Sequence, residues 1–321
     1  MEKSIPNSNN FCGGNFQDWI EVNLLEKCNG RCEWCIERGG YHPKFHADWR
    51  FIAERSLLSG KPNIILLGGE PTLHKDLDKI IKMISSAGRN VWITTNGSML
   101  TKDFIHNVLD GIHGINISIH SHDLEDNEEI TGIKIGNLQE SIKELHNIGA
   151  SIRLNCNCIS GYIDSVEEIE TYIKWAKEVG ADKIRFAELK QQDDSFIDLA
   201  KTMSYQYGLN DDPFTCGCHS DAVIFGMPVN FRQMCGLQTQ RRVKPENPEQ
   251  YAKRVLYYDG NFYDGWQTAI KEEVTMEDKE IVAVLKKVED GEITAEAALV
   301  ILRGLTTVVV SSIESSGGCQ Y

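Results

Sequence analysis

Along the first two thirds of the chain, short runs of β-branched and other apolar residues alternate with longer stretches of helical period. The runs are WIEVNLL (19–25), NIILL (63–67), VWITT (91–95), INISI (115–119), SIRLNC (151–156) and KIRFA (183–187). These residue types suit buried, pleated surfaces. Between them, 76–88 sets Leu77, Ile80, Ile81 and Ile84 on one helical face and stops at Gly88. Residues 137–149 do the same with Leu138, Ile142 and Leu145 up to Gly149, and 165–180 opens on Ser165 as an N-cap and stops at Gly180. Six strands with intervening helices predict an α/β fold with a parallel sheet and right-handed crossovers, a full or partial (β/α) barrel.

After about residue 210 the rhythm changes. Residues 222–234 and 255–266 read as two hairpins, turning at Gly226–Met227–Pro228 and Asp259–Gly260–Asn261. Residues 275–289 and 294–303 read as helices capped by Thr275 and Thr294. The expected organisation is a flexible polar lead-in over 1–16, a partial (β/α)6 barrel over 17–210, and a hairpin and helical extension over 211–321 ending in a mobile tail.

Charge narrows the partners. A net charge of −14, from 47 acidic and 33 basic residues, opposes a phosphate backbone and makes nucleic acid an unlikely partner. No apolar run has the length of a membrane span, and the opening MEKSIPNSNN lacks the apolar stretch of a signal peptide, so a cytoplasmic location is expected. Ten cysteines then matter, because clustered thiols in a reducing compartment read first as metal ligands or redox groups. Seven fall in three groups, Cys28/Cys32/Cys35, Cys156/Cys158 and Cys216/Cys218; Cys12, Cys235 and Cys319 stand apart.

The first group has the spacing Cys-x3-Cys-x2-Cys directly after the first strand. Three thiolates on a tight loop can bind three irons of a cubane and leave the fourth open. A zinc site is the other reading, with His42 or His46 as fourth ligand. The second strand runs into Gly68-Gly69-Glu70-Pro71-Thr72, where glycines let a backbone edge approach a ligand and Glu70 offers an acceptor for an ammonium group. An ordinary strand-to-helix turn would read the same way.

Together the two features resemble the radical S-adenosylmethionine (SAM) superfamily, which carries Cys-x3-Cys-x2-Cys after its first barrel strand and Gly-Gly-Glu-Pro after its second. The resemblance spans roughly residues 17–210. It implies that Cys28, Cys32 and Cys35 hold a catalytic [4Fe–4S] cluster and that Gly68, Gly69, Glu70 and Pro71 accept hydrogen bonds from the amino group of SAM. Trp34 matches the aromatic position where the loop backbone nears the adenine. By strand order alone the resemblance also points to Ser118 or His120 on the fourth strand, Asn155 on the fifth and Glu188 at the end of the sixth. A packed core histidine is the plain reading of His120, and satisfaction of neighbouring backbone that of Asn155. The implied chemistry is one-electron cleavage of SAM, fed by a donor such as flavodoxin or ferredoxin, to a 5′-deoxyadenosyl radical that abstracts hydrogen from substrate.

Cys216, Cys218 and Cys235 flank the first hairpin and suit a second, auxiliary [4Fe–4S] cluster or, with His219, a zinc. The arrangement resembles the short auxiliary-cluster ("twitch") extension of several radical SAM enzymes, except that no cysteine follows the second hairpin. Cys12, Cys319, His219 and Asp264 are candidate fourth ligands, or the open iron holds substrate. Cys156 and Cys158 share one side of the fifth strand; they belong to the core if Asn155 points into the barrel, and one is a hydrogen-atom donor if the register is reversed. By analogy with peptide-maturing members of the superfamily, the expected substrate is a peptide undergoing crosslinking or epimerisation. The alternative is a nucleotide or other small metabolite, favoured if Arg232, Arg241 and Arg242 line a basic pocket. A non-catalytic zinc-binding interaction protein is the third reading.

Overall fold

The six runs become six parallel strands in chain order: β1 (Trp19–Asn23), β2 (Asn63–Leu67), β3 (Asn90–Thr95), β4 (Gly114–Ser118), β5 (Ser151–Asn157) and β6 (Lys183–Ala187). The computed structural model describes residues 18–38, 40, 42–189, 194–199, 201–202, 219–233 and 254–264. Helices α1 (Trp49–Leu58), α2 (Leu77–Ser86), α3 (Lys102–Val108), α4 (Leu124–Thr131), α5 (Leu138–Asn147) and α6 (Val166–Glu178) make the crossovers. On α6 the Ser165 side chain accepts from Glu168 N, and Gly180, at φ +94°, takes the left-handed position just past the last turn.

The strands divide their side chains by parity. Ile152, Leu154 and Cys156 of β5 are buried among Ile115 and Ile117 of β4 and the apolar faces of α2, α5 and α6. Arg153, Asn155 and Asn157 alternate with them, half-buried, on the inner face of the sheet. Asn155 thus points inward, and Cys156 and Cys158 are fully buried core residues.

Beyond the six strands, both hairpins continue the same sheet. β7 (His219–Ile224) and β8 (Met227–Arg232) form one, with β8 parallel to β6; β9 (Arg254–Leu256) and β10 (Phe262–Asp264) form the other, with β9 parallel to β1. The sheet has ten strands in the order β10-β9-β1-β2-β3-β4-β5-β6-β8-β7 and does not close. The hairpins, read from the sequence as part of the extension over 211–321, thus pair with the edge strands of the barrel sheet. An unclosed sheet exposes unpaired backbone at both edges, and each hairpin covers one of them. The first hairpin also turns one step earlier than expected, on Phe225 (φ +51°) and Gly226 (φ +78°), because a two-residue hairpin turn of this hand needs positive φ at both positions.

Candidate functional site

The cysteine loop starts where β1 ends, but pairing with β2 continues. Leu24 N donates to Leu67 O (2.8 Å), Gly69 N to Leu25 O (2.7 Å) and Glu70 N to Lys27 O (2.9 Å). Two backbone ledges therefore run side by side to the residue before Cys28. Gly68 has φ +146°, and a Cβ there would lie 2.5 Å from Leu25 O and 2.8 Å from Asn23 Oδ1. A Cβ on Gly69 would lie 2.5 Å from Glu26 O and press on Lys27 O. The glycines expected to admit a ligand first admit the segment that carries the cysteines.

Glu70 is buried, and its carboxylate is already engaged. Oε1 accepts from Thr72 N (3.0 Å), Thr72 Oγ1 (2.6 Å) and Thr95 Oγ1 (2.7 Å), and Oε2 accepts from Asn96 N (2.7 Å). It caps the 3-10 turn Pro71–Leu73 and ties the end of β2 to that of β3. Burial pushes its carboxyl above the ordinary value, while the four donors favour the anion. Asn96 carries the link onward: its Nδ2 donates to Asn29 Oδ1 (2.8 Å) and faces Cys28 Sγ at 3.9 Å. Gly30 N donates to the same sulfur at 3.2 Å.

The far side of the loop rests on α4. Arg31 N donates to Thr131 O (2.7 Å), and the Arg31 stem lies across Gly132. Trp34 packs against Ile130, Ile159 and Leu189, with His120 edge-on at 5.5 Å between ring centroids. His120 Nδ1 accepts from Asn157 N (3.1 Å), which puts the proton of the neutral ring on Nε2. Burial pulls its pKa down to about 4, so the ring is neutral and packed. Neither histidine offered as a zinc ligand joins the thiols: His42 lies 3.0 Å from Glu37 O, and His46 stacks on Tyr258 at 4.5 Å beside Glu26.

The three thiols are within electrostatic reach of one another. Burial first, then the charges of Cys35 and Cys28, push the Cys32 thiol up to about 11, and burial also raises Cys35. Among the described residues no three Cys, His, Asp or Glu side chains converge on a point that could hold a single metal ion.

On the inner face, register aligns a polar rung across five strands: Ser118, Asn155, Arg185, Asn230 and Asp221. Arg153 Nε donates to Asn155 Oδ1 (3.0 Å), Arg185 Nε to Asn230 Oδ1 (2.8 Å), and Asn230 Nδ2 to Asp221 Oδ1 (2.8 Å). Asn155 thus meets any ligand with its oxygen partly used. Glu188 is buried, and its Oε1 accepts from Leu199 N (2.9 Å). Cys216, Cys218, Cys235, Cys12, Cys319, Arg241 and Arg242, together with the two expected C-terminal helices, lie outside the described residues.

Residues 22–176, from β1 into α6, match the radical SAM superfamily. The chain belongs to the radical SAM superfamily. It is 30% identical over 193 residues to a protein from Haemophilus influenzae (strain PittGG) named GTP 3',8-cyclase, covering 56% of each chain. It is 25% identical over 260 residues to a protein of the same name from Aquifex aeolicus, covering 75% of this chain and 71% of that one. The chain thus spans little more than half the length of the first of these relatives. Among solved structures, Streptococcus suis SuiB bound to S-adenosylmethionine superposes with a TM-score of 0.55 at 15% identity, over 80% of this chain and 61% of that one, a likeness of fold.

The loop fits the cluster that radical SAM proteins carry. A cubane takes one thiolate at each of three iron corners, so its ligands need not converge on one point. Neighbouring thiols that repel one another's charge ionise together most readily around a cationic centre, which iron supplies. Donors such as Gly30 N and Asn96 Nδ2 are the outer partners a coordinated sulfur uses. Asn96, Thr95, Arg153 and Arg185 were not singled out in the sequence. The signal for the first two was a polar Thr-Asn-Gly end on an apolar strand; for the arginines it was a charge inside a buried strand, SIRLNC and KIRFA.

Proposed function

We propose that the chain is a radical SAM enzyme that holds a [4Fe–4S] cluster on Cys28, Cys32 and Cys35, cleaves SAM reductively and takes hydrogen from a small-molecule substrate of the nucleotide class. The observation that carries the cofactor assignment is the shared ledge, in which the hydrogen-bonded segments 24–27 and 67–70 put the glycine edge beside the base of the cysteine loop. When bound, the cluster supplies the electron that splits SAM and thereby the radical that removes hydrogen. The chain's own residues orient the parts. With Glu70 turned to its four donors, the carbonyl oxygens of Gly68 and Gly69 serve as acceptors for the SAM amino group, and Pro71 fixes the turn that follows. Trp34 wedges the loop against α4, next to where the adenine would lie. Ser118 and the Asn155 amide face the same inner space, and Glu188 holds the 194–199 segment at its rim.

The substrate class is supported by the relatives named GTP 3',8-cyclase and by the polar inner face. A peptide substrate has as its support only a likeness of fold to SuiB, a protein also solved bound to its precursor peptide SuiA. For an auxiliary cluster, the support is the first hairpin: its open ends His219 and Arg232 are register partners, Cys216 and Cys218 precede one end, and Cys235 follows the other. On this reading, 17–210 forms the barrel and 211–321 the cluster-bearing extension, although both hairpins pair with the barrel sheet. No helix among the described residues is long and apolar enough to cross a membrane, in keeping with a cytoplasmic enzyme reduced by flavodoxin or ferredoxin.

The test is anaerobic turnover of the reconstituted, dithionite-reduced protein with SAM and either nucleoside triphosphates or a panel of peptides. Substrate-dependent 5′-deoxyadenosine formation and a modified nucleotide are expected. Stimulation by peptides with no response to nucleotides would reverse the substrate assignment.

A further inference from the structure

The loop after β3 closes a ring of hydrogen bonds onto the cysteine loop. Asn96 Oδ1 accepts from Ser98 N (3.0 Å), Asn96 Nδ2 donates to Asn29 Oδ1 (2.8 Å), and Asn29 Nδ2 donates to Ser98 Oγ (2.9 Å). The orientation of the Asn96 amide follows from chemistry. Ser98 N–H can only donate, so the Asn96 oxygen faces it and the amino group faces Asn29 and the Cys28 sulfur, 3.9 Å away. The Asn96 backbone is fixed as well, because its N–H donates to Glu70 Oε2 (2.7 Å). Gly97 makes the turn between Asn96 and Ser98 at φ +81°, with its N–H on Thr95 Oγ1 (3.1 Å). The ring lies at the surface, where hydrogen bonds contribute little to stability. Its effect is to hold the amide rather than the fold.

The three sulfurs are not treated alike. Cys32 and Cys35 meet backbone groups of their own segment, at Cys32 and at Glu37 and Arg38. Cys28 is the exposed one, and of the three it alone faces a side-chain donor from another loop among the described residues. Gly30 N, at 3.2 Å, is its second donor. Donors of this kind draw negative charge off a coordinated thiolate and so favour the reduced state of a cluster, whose potential follows the hydrogen bonds to its sulfurs.

We propose that Asn96 is a positioning residue that, locked by Asn29 and Ser98, holds its amino group on the Cys28 sulfur and raises the reduction potential of the cluster. The residue that ties Glu70 to the end of β3 then also sets how readily the cluster takes up its electron. This rests on the assignment of the cluster to Cys28, Cys32 and Cys35 above.

Wild type, Asn96→Ala and Ser98→Ala are reconstituted anaerobically and titrated reductively without SAM, with the midpoint potential read by electron paramagnetic resonance. The signal followed is the one that a Cys28→Ala/Cys32→Ala/Cys35→Ala variant lacks. Asn96→Ala removes the donor and should shift the one-electron reduction equilibrium about tenfold toward the oxidised cluster, a potential lower by about 59 mV. Ser98→Ala leaves Asn96 and Cys28 in place but frees Asn29 from its anchor, and should shift the potential the same way by less. Ser98→Ala should also keep the iron content and melting temperature of wild type. A potential unchanged or raised in Asn96→Ala overturns the proposal, as does early melting of both variants with no change in potential. If Asn96→Ala takes up no iron, Ser98→Ala decides, and an unshifted potential there overturns the proposal. The same titration separates the two readings. A wild type without the signal removes the cluster assignment and this proposal with it, whereas the signal present and unshifted in the variants removes the role of Asn96 alone.

Discussion

At the ends of β1–β3, the buried charge is Glu70, and four donors on two segments surround it at 2.6–3.0 Å. On β5, β6 and β8, the charges are half-buried arginines, and burial and then neighbouring arginine charge lower the basicity of Arg153 and Arg185. A saturated buried charge rigidifies what surrounds it, whereas like charges held side by side repel one another. The first region is built to hold a fixed cofactor ledge in one shape. The second holds like charges side by side, with Nε of Arg153 and of Arg185 tethered to an asparagine oxygen.

The contrast can be broken at its strongest point first. Gly69→Ala drives a methyl group into the carbonyls of Glu26 and Lys27, so the ledges must part. SAM cleavage should fall more than about a hundredfold and stability by on the order of 3 kcal/mol, read by 5′-deoxyadenosine assay and thermal melting. Glu70→Ala strands four donors, two of them backbone N–H groups, and should cost on the order of 3 kcal/mol in chemical denaturation. Next comes His120, which sits between the regions. Its ring is buried neutral with a pKa near 4, against about 6.5 unfolded, so the unfolded chain takes up the proton first. Stability should drop as pH falls through that window, by roughly 2 kcal/mol from pH 6.5 to 5, and His120→Gln should flatten the slope. The smallest effect is the most telling. Arg185→Met removes a half-buried charge that other arginines crowd and should leave the melting temperature unchanged or higher, the opposite of Glu70→Ala.

Local pattern carried much of the fold. NIILL and KIRFA became β2 and β6 residue for residue, and the stripes on α2, α5 and α6 are the faces that pack on the sheet. Three helices were not legible, for physical reasons. On α1, Phe51 and Leu58 face solvent while Ser56 is buried, which blurs the stripe. α3 is short and buries Ile105 alone, and α4 buries Asn127 and Thr131 beside Ile130. The cysteines and glycines were readable because each set lies on one stretch of chain. The Glu70–Thr95–Asn96 links and the arginine rung exist only through register between strands, which no single stretch reveals. The edge pairing of the two hairpins was hidden for the same reason.

The central claim is that Cys28, Cys32 and Cys35 hold the cluster that cleaves SAM. Wild type and the Cys28→Ala/Cys32→Ala/Cys35→Ala variant, both reconstituted anaerobically and reduced, should be compared for iron content and 5′-deoxyadenosine. The account predicts that the variant loses about four irons and all SAM cleavage while keeping its secondary structure. SAM cleavage surviving in the variant, or a wild type that takes up no iron, would contradict it.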